Sequence, residues 1–432
     1  MMDRKLYIFH IDVNSAFLSW TASYRVNILG EKEDLRNIPS IIGGNQEQRH
    51  GIVLAKSVPA KKYGIHTGEA IMTARQKCPG LVVVPPDYGL YVKASKALIS
   101  KMQQYSDNIV QYSIDEVWCV LDGFENLYGQ GQIKNFAYRL KNEIREELGF
   151  TVNIGISTNF LLSKMAGELS KPDKVHTLYP EEIQDKMWPL PVSELFFVGR
   201  STTEKLHKLG IYTIGELAKA DEGTIKAYLK SMGQIVQGYA RGMDLEPYMF
   251  THEANKGYGN SMTAPEDITD RVYARHLMLS LCETVGARLR KDNVRINVVS
   301  VHVRTCEFLS TSKQMSLLSA TDVTEEIFRA ACHLLDGLWD GRTPLRQIGV
   351  HTSGVQTDAG RQYNLFDLEK FDRLEILNRT IDKIREKYGE DAVFRASFLE
   401  GNVSHMGGGL NKERRSGVTI GIDVMGENTR II

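Results

Sequence analysis

Tyr112-Ser113-Ile114-Asp115-Glu116-Val117-Trp118 carries two adjacent carboxylates at the junction of two apolar runs, Asn108–Ser113 and Val117–Leu121. Apolar segments on both sides of so short a polar break read as a β-hairpin that holds both acids at one end. Acidic residues are poor strand formers, so something must compensate for them there. A third acid, Asp12, closes another apolar run, Leu6-Tyr7-Ile8-Phe9-His10-Ile11. Three carboxylates at strand ends can converge on a divalent metal. Taken alone, Asp115 and Glu116 fit an exposed, idle turn equally well.

The order of elements around the hairpin favours the first of these readings. Residues 5–12 read as a strand, and Asn14-Ser15-Ala16-Phe17-Leu18-Ser19-Trp20 begins a helix with Asn14 or Ser15 as its N-cap. In 88–105, Leu90, Tyr91, Ala94, Ala97, Leu98, Met102 and Tyr105 recur at helical spacing. Ile133, Phe136, Ala137, Leu140, Ile144 and Leu148 mark a second helix, closed by Gly149. Val152–Ser157 is a strand, and Asn159–Ser170 a helix that stops before Pro172. The sequence β-α, an inserted segment, then α-β-β-α-β suits a ferredoxin-like α/β sheet with helices on one face. In such a sheet Asp12 and the hairpin acids occupy neighbouring strands.

The remainder divides further, as expected of 432 residues, too many for one ordinary core. Residues 177–245 read as helical. They include Val198-Gly199-Arg200-Ser201-Thr202-Thr203-Glu204-Lys205-Leu206-His207-Lys208-Leu209-Gly210-Ile211, which resembles a helix-hairpin-helix element. The backbone N–H groups of its glycine turn can grip a phosphate without reading sequence. A linker is expected over 246–258. A second α/β sandwich follows, with helices at 271–291 and 323–338 and strands at 294–304, 313–318 and 346–355. Arg288, Arg290, Lys291, Arg295, Arg304 and Lys313 outnumber Asp292 and Glu307 across 286–315, an excess that can track a phosphate backbone or simply form a solvated face. Beyond 355 the sequence predicts an amphipathic helix near 370–388 and little fixed structure over Gly401–Ile432.

Lys+Arg and Asp+Glu are balanced at 53 each, so global charge favours no class of partner. The five cysteines show no C-x-x-C spacing, which argues against a zinc site or a disulfide framework and for reduced core thiols. No apolar run reaches about 18 residues, so the expectation is a cytoplasmic chain with no membrane partner.

Several blocks, taken together, resemble the Y-family, or translesion, DNA polymerases of bacteria. They are Asp12-Val13-Asn14-Ser15-Ala16-Phe17, Ala55-Lys56-Ser57-Val58-Pro59-Ala60-Lys61-Lys62-Tyr63-Gly64, Ser113-Ile114-Asp115-Glu116, Gly155-Ile156-Ser157, Lys171-Pro172 and the 198–211 element. The chain is most similar to the DNA polymerase IV branch, and the stretch after 366 resembles the C-terminal extension of the SOS-mutagenesis branch. The resemblance implies a multidomain right-hand polymerase: palm from 1–17 and 89–176, small fingers from 18–88, helical thumb from 177–245, α/β little finger from 259–355, and a tail from 356–432. It implies a low-fidelity polymerase of DNA repair and the SOS response, monomeric, acting on primer-template DNA and deoxynucleoside triphosphates.

The same resemblance assigns residues. Asp12, Asp115 and Glu116 are the catalytic carboxylates, holding two Mg²⁺ ions together with the backbone carbonyl of Val13. Asp115 is shared by both ions, and Glu116 serves the one that activates the primer hydroxyl. Phe17 is the sugar gate, and Lys61 and Lys171 contact the triphosphate. Lys61 stands where arginine is commoner, which removes a bidentate fork. Beside these, Gly199 of the hairpin turn and Arg290, Arg304 and Lys313 of the basic stretch are the candidate DNA contacts, the last three on local charge excess alone. Gln362, Leu365 and Phe366 match the Q-x-x-L-F pattern that docks bacterial polymerases on the sliding clamp. Two rivals compete with this reading. A nucleotidyl cyclase on the same kind of palm explains the acids but needs no helix-hairpin-helix, basic sandwich or clamp peptide. A non-catalytic DNA-binding relative would be expected to have lost a metal carboxylate.

Overall fold

The computed structural model describes residues 6–44, 51–245, 254–357, 368–399 and 403–407. They form two compact units, one ending before and one beginning after residue 253. In chain order the first unit contains β1 (Leu6–Val13), α1 (Ala16–Asn27), β2 (Ser40–Gly43), β3 (Val53–Lys56), α2 (Val58–Lys62), α3 (Ile71–Lys77), β4 (Val82–Val84), α4 (Tyr88–Gln103), β5 (Ile109–Gln111) and β6 (Glu116–Asp122). It continues with α5 (Phe124–Tyr128), α6 (Ile133–Leu148), β7 (Val152–Ser157), α7 (Phe160–Glu168) and β8 (Val175–Thr177), then α8 (Arg200–Lys208), α9 (Ile214–Lys219), α10 (Glu222–Leu229) and α11 (Ser231–Ala240).

The main sheet has the order β5-β6-β1-β7-β8, with β1 antiparallel to both neighbours. Strand alternation divides its side chains between two cores. Tyr7, Phe9, Ile11 and Val13 join Leu98 of α4 and Phe136, Leu140 and Ile144 of α6. Ile8, Trp118 and Val120 face the other way, onto Leu161, Leu162, Met165 and Ala166 of α7. Helices therefore cover both faces, not the single face expected. α7 fits because β7 offers it Gly155, where a Cβ would lie 1.9 Å from the Ser163 carbonyl oxygen. The inserted segment makes a separate sheet, β3-β2-β4, with its own small core around Ile41, Val53, Ile65 and Ile71.

The second unit comprises β9 (Gly257–Ile268), α12 (Arg271–Lys291), β10 (Arg295–Thr305), β11 (Ser310–Thr321), α13 (Thr324–Leu338), β12 (Leu345–Gln356) and α14 (Leu368–Tyr388). Its sheet order is β11-β10-β12-β9, and α12 and α13 close one face over Val299, Val301, Ile348 and Val350. The linker expected over 246–258 ends earlier, because Gly257 and Tyr258 already pair with β12. Two glycines and Pro265 disguise β9, and an edge position tolerates them.

The chain after 355 is likewise no simple tail. Arg385 Nη1 and Arg395 Nε reach the buried Glu283 carboxylate of α12 at 2.9 and 2.6 Å, and Arg395 also bonds Glu325 of α13 at 2.6 Å. Ser280 Oγ bonds the Ser404 carbonyl, and Val403 and Met406 are buried, so part of the glycine-rich end packs on this unit. Removing one member of a buried ion cluster leaves the others uncompensated. Glu283→Ala is expected to destabilise the second unit by about 3–5 kcal/mol in denaturant unfolding. Cys78, Cys119 and Cys282 are buried free thiols as expected, whereas Cys306 is exposed and Cys332 half-buried.

Candidate active site

Pairing register brings the acids together. β1 and β6 align Asp12 opposite Glu116, so the two side chains share one face and one end of the sheet. Asp115 stands one residue before β6, and its carbonyl accepts the Val13 N–H at 3.1 Å. Ser113 supplies the compensation that the acidic hairpin requires. Its hydroxyl donates to Asp115 Oδ1 at 2.6 Å and accepts the backbone N–H groups of Asp115 and Glu116 at 3.3 and 3.1 Å.

The face that carries Asp12 and Glu116 also carries His10, Trp118 and Gly155, all turned toward α7. Gly155 and Gly167 let α7 approach closely; a Cβ on Gly167 would lie 3.3 Å from His10 Nδ1. Lys164 of α7 then reaches across the sheet to Glu116 Oε2. Its ammonium lies 5.1 Å from the Tyr112 ring centre and 5.3 Å from that of Phe196. Lys171 bonds Asp12 and also Glu168, the latter at 2.7 Å. The loop that carries Lys171 is tied to the sheet. Asn153 donates to the carbonyls of Gly167 and Ser170 at 2.9 and 2.6 Å, and Asn14 Oδ1 accepts the Asp173 N–H at 2.9 Å.

Burial raises the Asp12 carboxyl to about 6, with the charges of Glu116 and Asp115 adding to the shift and Lys171 opposing it. Burial raises Asp115 as well, against the Ser113 hydrogen bond. Burial also acts upward on Glu116, but His10 and Lys164 outweigh it and hold that acid down at about 2. His10 is fully buried and lowered to about 4 by desolvation, so it is neutral at pH 7. Its Nε2 lies 3.4 Å from Glu116 Oε2, a long polar contact through which the ring N–H favours the ionised acid.

Among the described residues no three His, Cys, Asp or Glu side chains form a ready metal cage, because Asp12 and Glu116 are turned to lysines. The donor set nevertheless fits a hard divalent cation. Three carboxylates share one sheet end, and two of them are pushed toward their neutral forms by burial and mutual repulsion, a cost that a bound cation would relieve.

The other expected residues are scattered. Phe17 is half-buried and stacks on Tyr91 at 4.3 Å and 6°, with Tyr88 edge-on at 6.0 Å. Lys61 is exposed on α2, beside Lys56, whose ammonium is pushed down by burial and by the Lys61 charge; no contact among the described residues links Lys61 to the acids. Gly199 is exposed in the turn before α8. Arg290 is corrected. It is 7% exposed, and its guanidinium bonds the Asp322 carbonyl at 2.8 Å, Asn378 at 3.0 Å and Asp382 at 3.1 Å, so it ties α12 to α14 and offers nothing to a phosphate. Arg304 and Lys313 do not share a face. Lys313 pairs with the inward-pointing Val301 and its Nζ reaches Gly337 of α13, whereas Arg304 pairs with Ser310 on the open face. Gln362, Leu365 and Phe366 lie outside the described residues. Sequence reasoning missed His10 and Lys164. His10 was within reach, two residues before Asp12 on the same strand face; Lys164 carried no local signal.

A five-stranded sheet with acids at one end, a small second sheet, a helical region and a separate α/β unit are the parts of the multidomain α/β fold expected from the sequence. Comparison with known proteins agrees. Residues 11–168 match the impB/mucB/samB family, 180–211 its helix-hairpin-helix motif and 255–365 its C-terminal domain. The chain is 47% identical over 393 residues to DNA polymerase IV of Clostridium acetobutylicum, covering 91% of this chain and 98% of that one. It is 34% identical to DNA polymerase IV of Acetivibrio thermocellus (92% and 98% covered) and 30% identical to DNA polymerase IV 1 of Bacillus subtilis (96% and 98%). A solved Y-family DNA polymerase chimera of Dbh and Dpo4 superposes with a TM-score of 0.66 at 21% identity, covering 82% of this chain and 100% of that one, a likeness of fold. The chain belongs to the Y family of DNA polymerases, in its DNA polymerase IV branch. Among the described residues no helix is long and apolar enough to cross a membrane.

Proposed function

We propose that the protein is a template-directed DNA polymerase that adds deoxynucleotides to a primer 3′-hydroxyl, and that it serves low-fidelity translesion synthesis in the SOS response. The observation that carries the reading is the register pair Asp12–Glu116 with Asp115 at the adjoining turn, beside Lys171. Two Mg²⁺ ions bound there would align the primer hydroxyl and offset the charge developing on the triphosphate. Asp12, Asp115, Glu116 and the Val13 carbonyl are the groups to hold them. Lys171, on the tied loop beside Asp12, is placed to meet the triphosphate with a mobile point charge. Lys61 adds a second positive charge from α2. Phe17 presents a flat, braced ring against the sugar and rejects a 2′-hydroxyl by contact. The turn at Gly199 offers backbone N–H groups to a phosphate, and Arg304 and Lys313 contribute separately from two faces of the second unit's sheet.

Primer extension with Mg²⁺, comparing the wild type with Asp115→Ala, tests the reading; no extension by the wild type on varied templates overturns it. The sliding clamp is the proposed partner of Gln362, Leu365 and Phe366, whose two apolar anchors suit a small pocket. Deleting 362–366 is expected to leave unassisted synthesis intact and to abolish stimulation by the clamp, measured as product length with and without it. Equal stimulation of the deletion sinks that assignment.

A further inference from the structure

Lys164 and Lys171 each neutralise a carboxylate of the site, but they are built for different ends. The Lys171 side chain is 35% exposed and is shared between Asp12 and Glu168. The Lys164 side chain is 9% exposed on a helix pressed against Gly155, and its ammonium is held by one carboxylate and two aromatic rings. A desolvated cation over two ring faces is held strongly, so Lys164 has little freedom to leave. Its bond commits one oxygen of Glu116. Oε2 accepts from Lys164 and faces His10 Nε2 at 3.4 Å, whereas Oε1 has no hydrogen-bond partner among the described residues.

We propose that Lys164 is a positioning residue that holds Glu116 Oε2 permanently and so presents Oε1 alone to a divalent cation. Glu116 then serves a single cation through a single oxygen, which accounts for an unequal division of labour between Glu116 and Asp115. Lys171, by contrast, is free to exchange Asp12 for another anion. The assignment rests on the polymerase reading above and names a residue on which that reading does not depend.

The test uses the full-length chain bound to primer-template DNA, with Mn²⁺ binding followed by electron paramagnetic resonance and single-nucleotide kinetics in Mg²⁺. Lys164→Met frees the second oxygen and removes a positive charge, so Mn²⁺ is expected to bind about 3- to 10-fold tighter while kcat falls about 10- to 100-fold, with the KM for nucleotide little changed. Tighter cation binding with slower chemistry is not what a loosened fold produces. In a Glu116→Gln background, Lys164→Met is expected to add no further loss, because the pair acts as a unit. Unchanged kcat, unchanged or weaker Mn²⁺ binding, or fully additive losses in the double variant each overturn the assignment. A wild type that neither extends primers nor binds Mn²⁺ refutes the polymerase reading itself. A wild type that does both, with Lys164→Met indistinguishable from it, refutes only the role of Lys164.

Discussion

Primer extension by Asp115→Ala is expected to fall more than about 10³-fold, a loss of at least about 4 kcal/mol of transition-state stabilisation. Glu116 has lysine and histidine neighbours, and Asp12 has Lys171, but among the described residues the Asp115 carboxylate accepts a side-chain bond only from the neutral Ser113. It is thus the acid with most capacity left for cations. The folded state should not suffer. Burial and the nearby Glu116 charge already press the Asp115 carboxyl toward neutrality, so removing its charge relieves repulsion. Asp115→Asn, which can keep the Ser113 contact, is expected to melt no lower than the wild type in metal-free buffer while being as inactive as the alanine variant. Retained extension by Asp115→Asn would show that shape rather than charge matters at this position.

The second large effect concerns the sugar. Phe17→Ala is expected to raise the ratio of ribonucleotide to deoxynucleotide incorporation by about 10- to 200-fold, the range open to a steric pocket, while deoxynucleotide extension persists. The effect follows from how the ring is held. Tyr91 backs it face to face and Tyr88 braces its edge, so it cannot swing aside for a 2′-hydroxyl. The substitution also removes a half-buried ring from this aromatic cluster, at a cost of about 1–2 kcal/mol of stability. Competition between matched ribonucleotide and deoxynucleotide triphosphates on one template reads the ratio directly. An unchanged ratio removes Phe17 from the gate.

The first unit was legible in the sequence because its central strands are short, near-continuous apolar runs and its two long helices carry unbroken apolar faces. Asp12 and Glu116 meet as the inferred strand order requires, since β1 and β6 are central and antiparallel. The second unit was less legible for reasons of distance. Arg290 looks like part of a basic stripe until Asn378 and Asp382, about 90 residues later, come to bury it. Whether Arg304 and Lys313 share a face depends on register across a hairpin, and composition is blind to parity. β9 lacks the β-branched and aromatic content of a strand and is held by its pairing with β12. Lys164 finds Glu116 across 48 residues of chain, through a helix placement that no local pattern encodes.

That placement has a genetic consequence. The clearance between α7 and the sheet is set by the absence of two methyl groups, at Gly155 and Gly167. Both positions look interchangeable with alanine to anyone scanning for acids, bases or ligands. A Cβ at Gly155 would nevertheless overlap the backbone of Ser163 and Gly167 and push Lys164 and the Lys171 loop off the carboxylates together. Null alleles of this gene are thus expected at a residue that does no chemistry, and a survey confined to charged positions would overlook one of its most fragile sites.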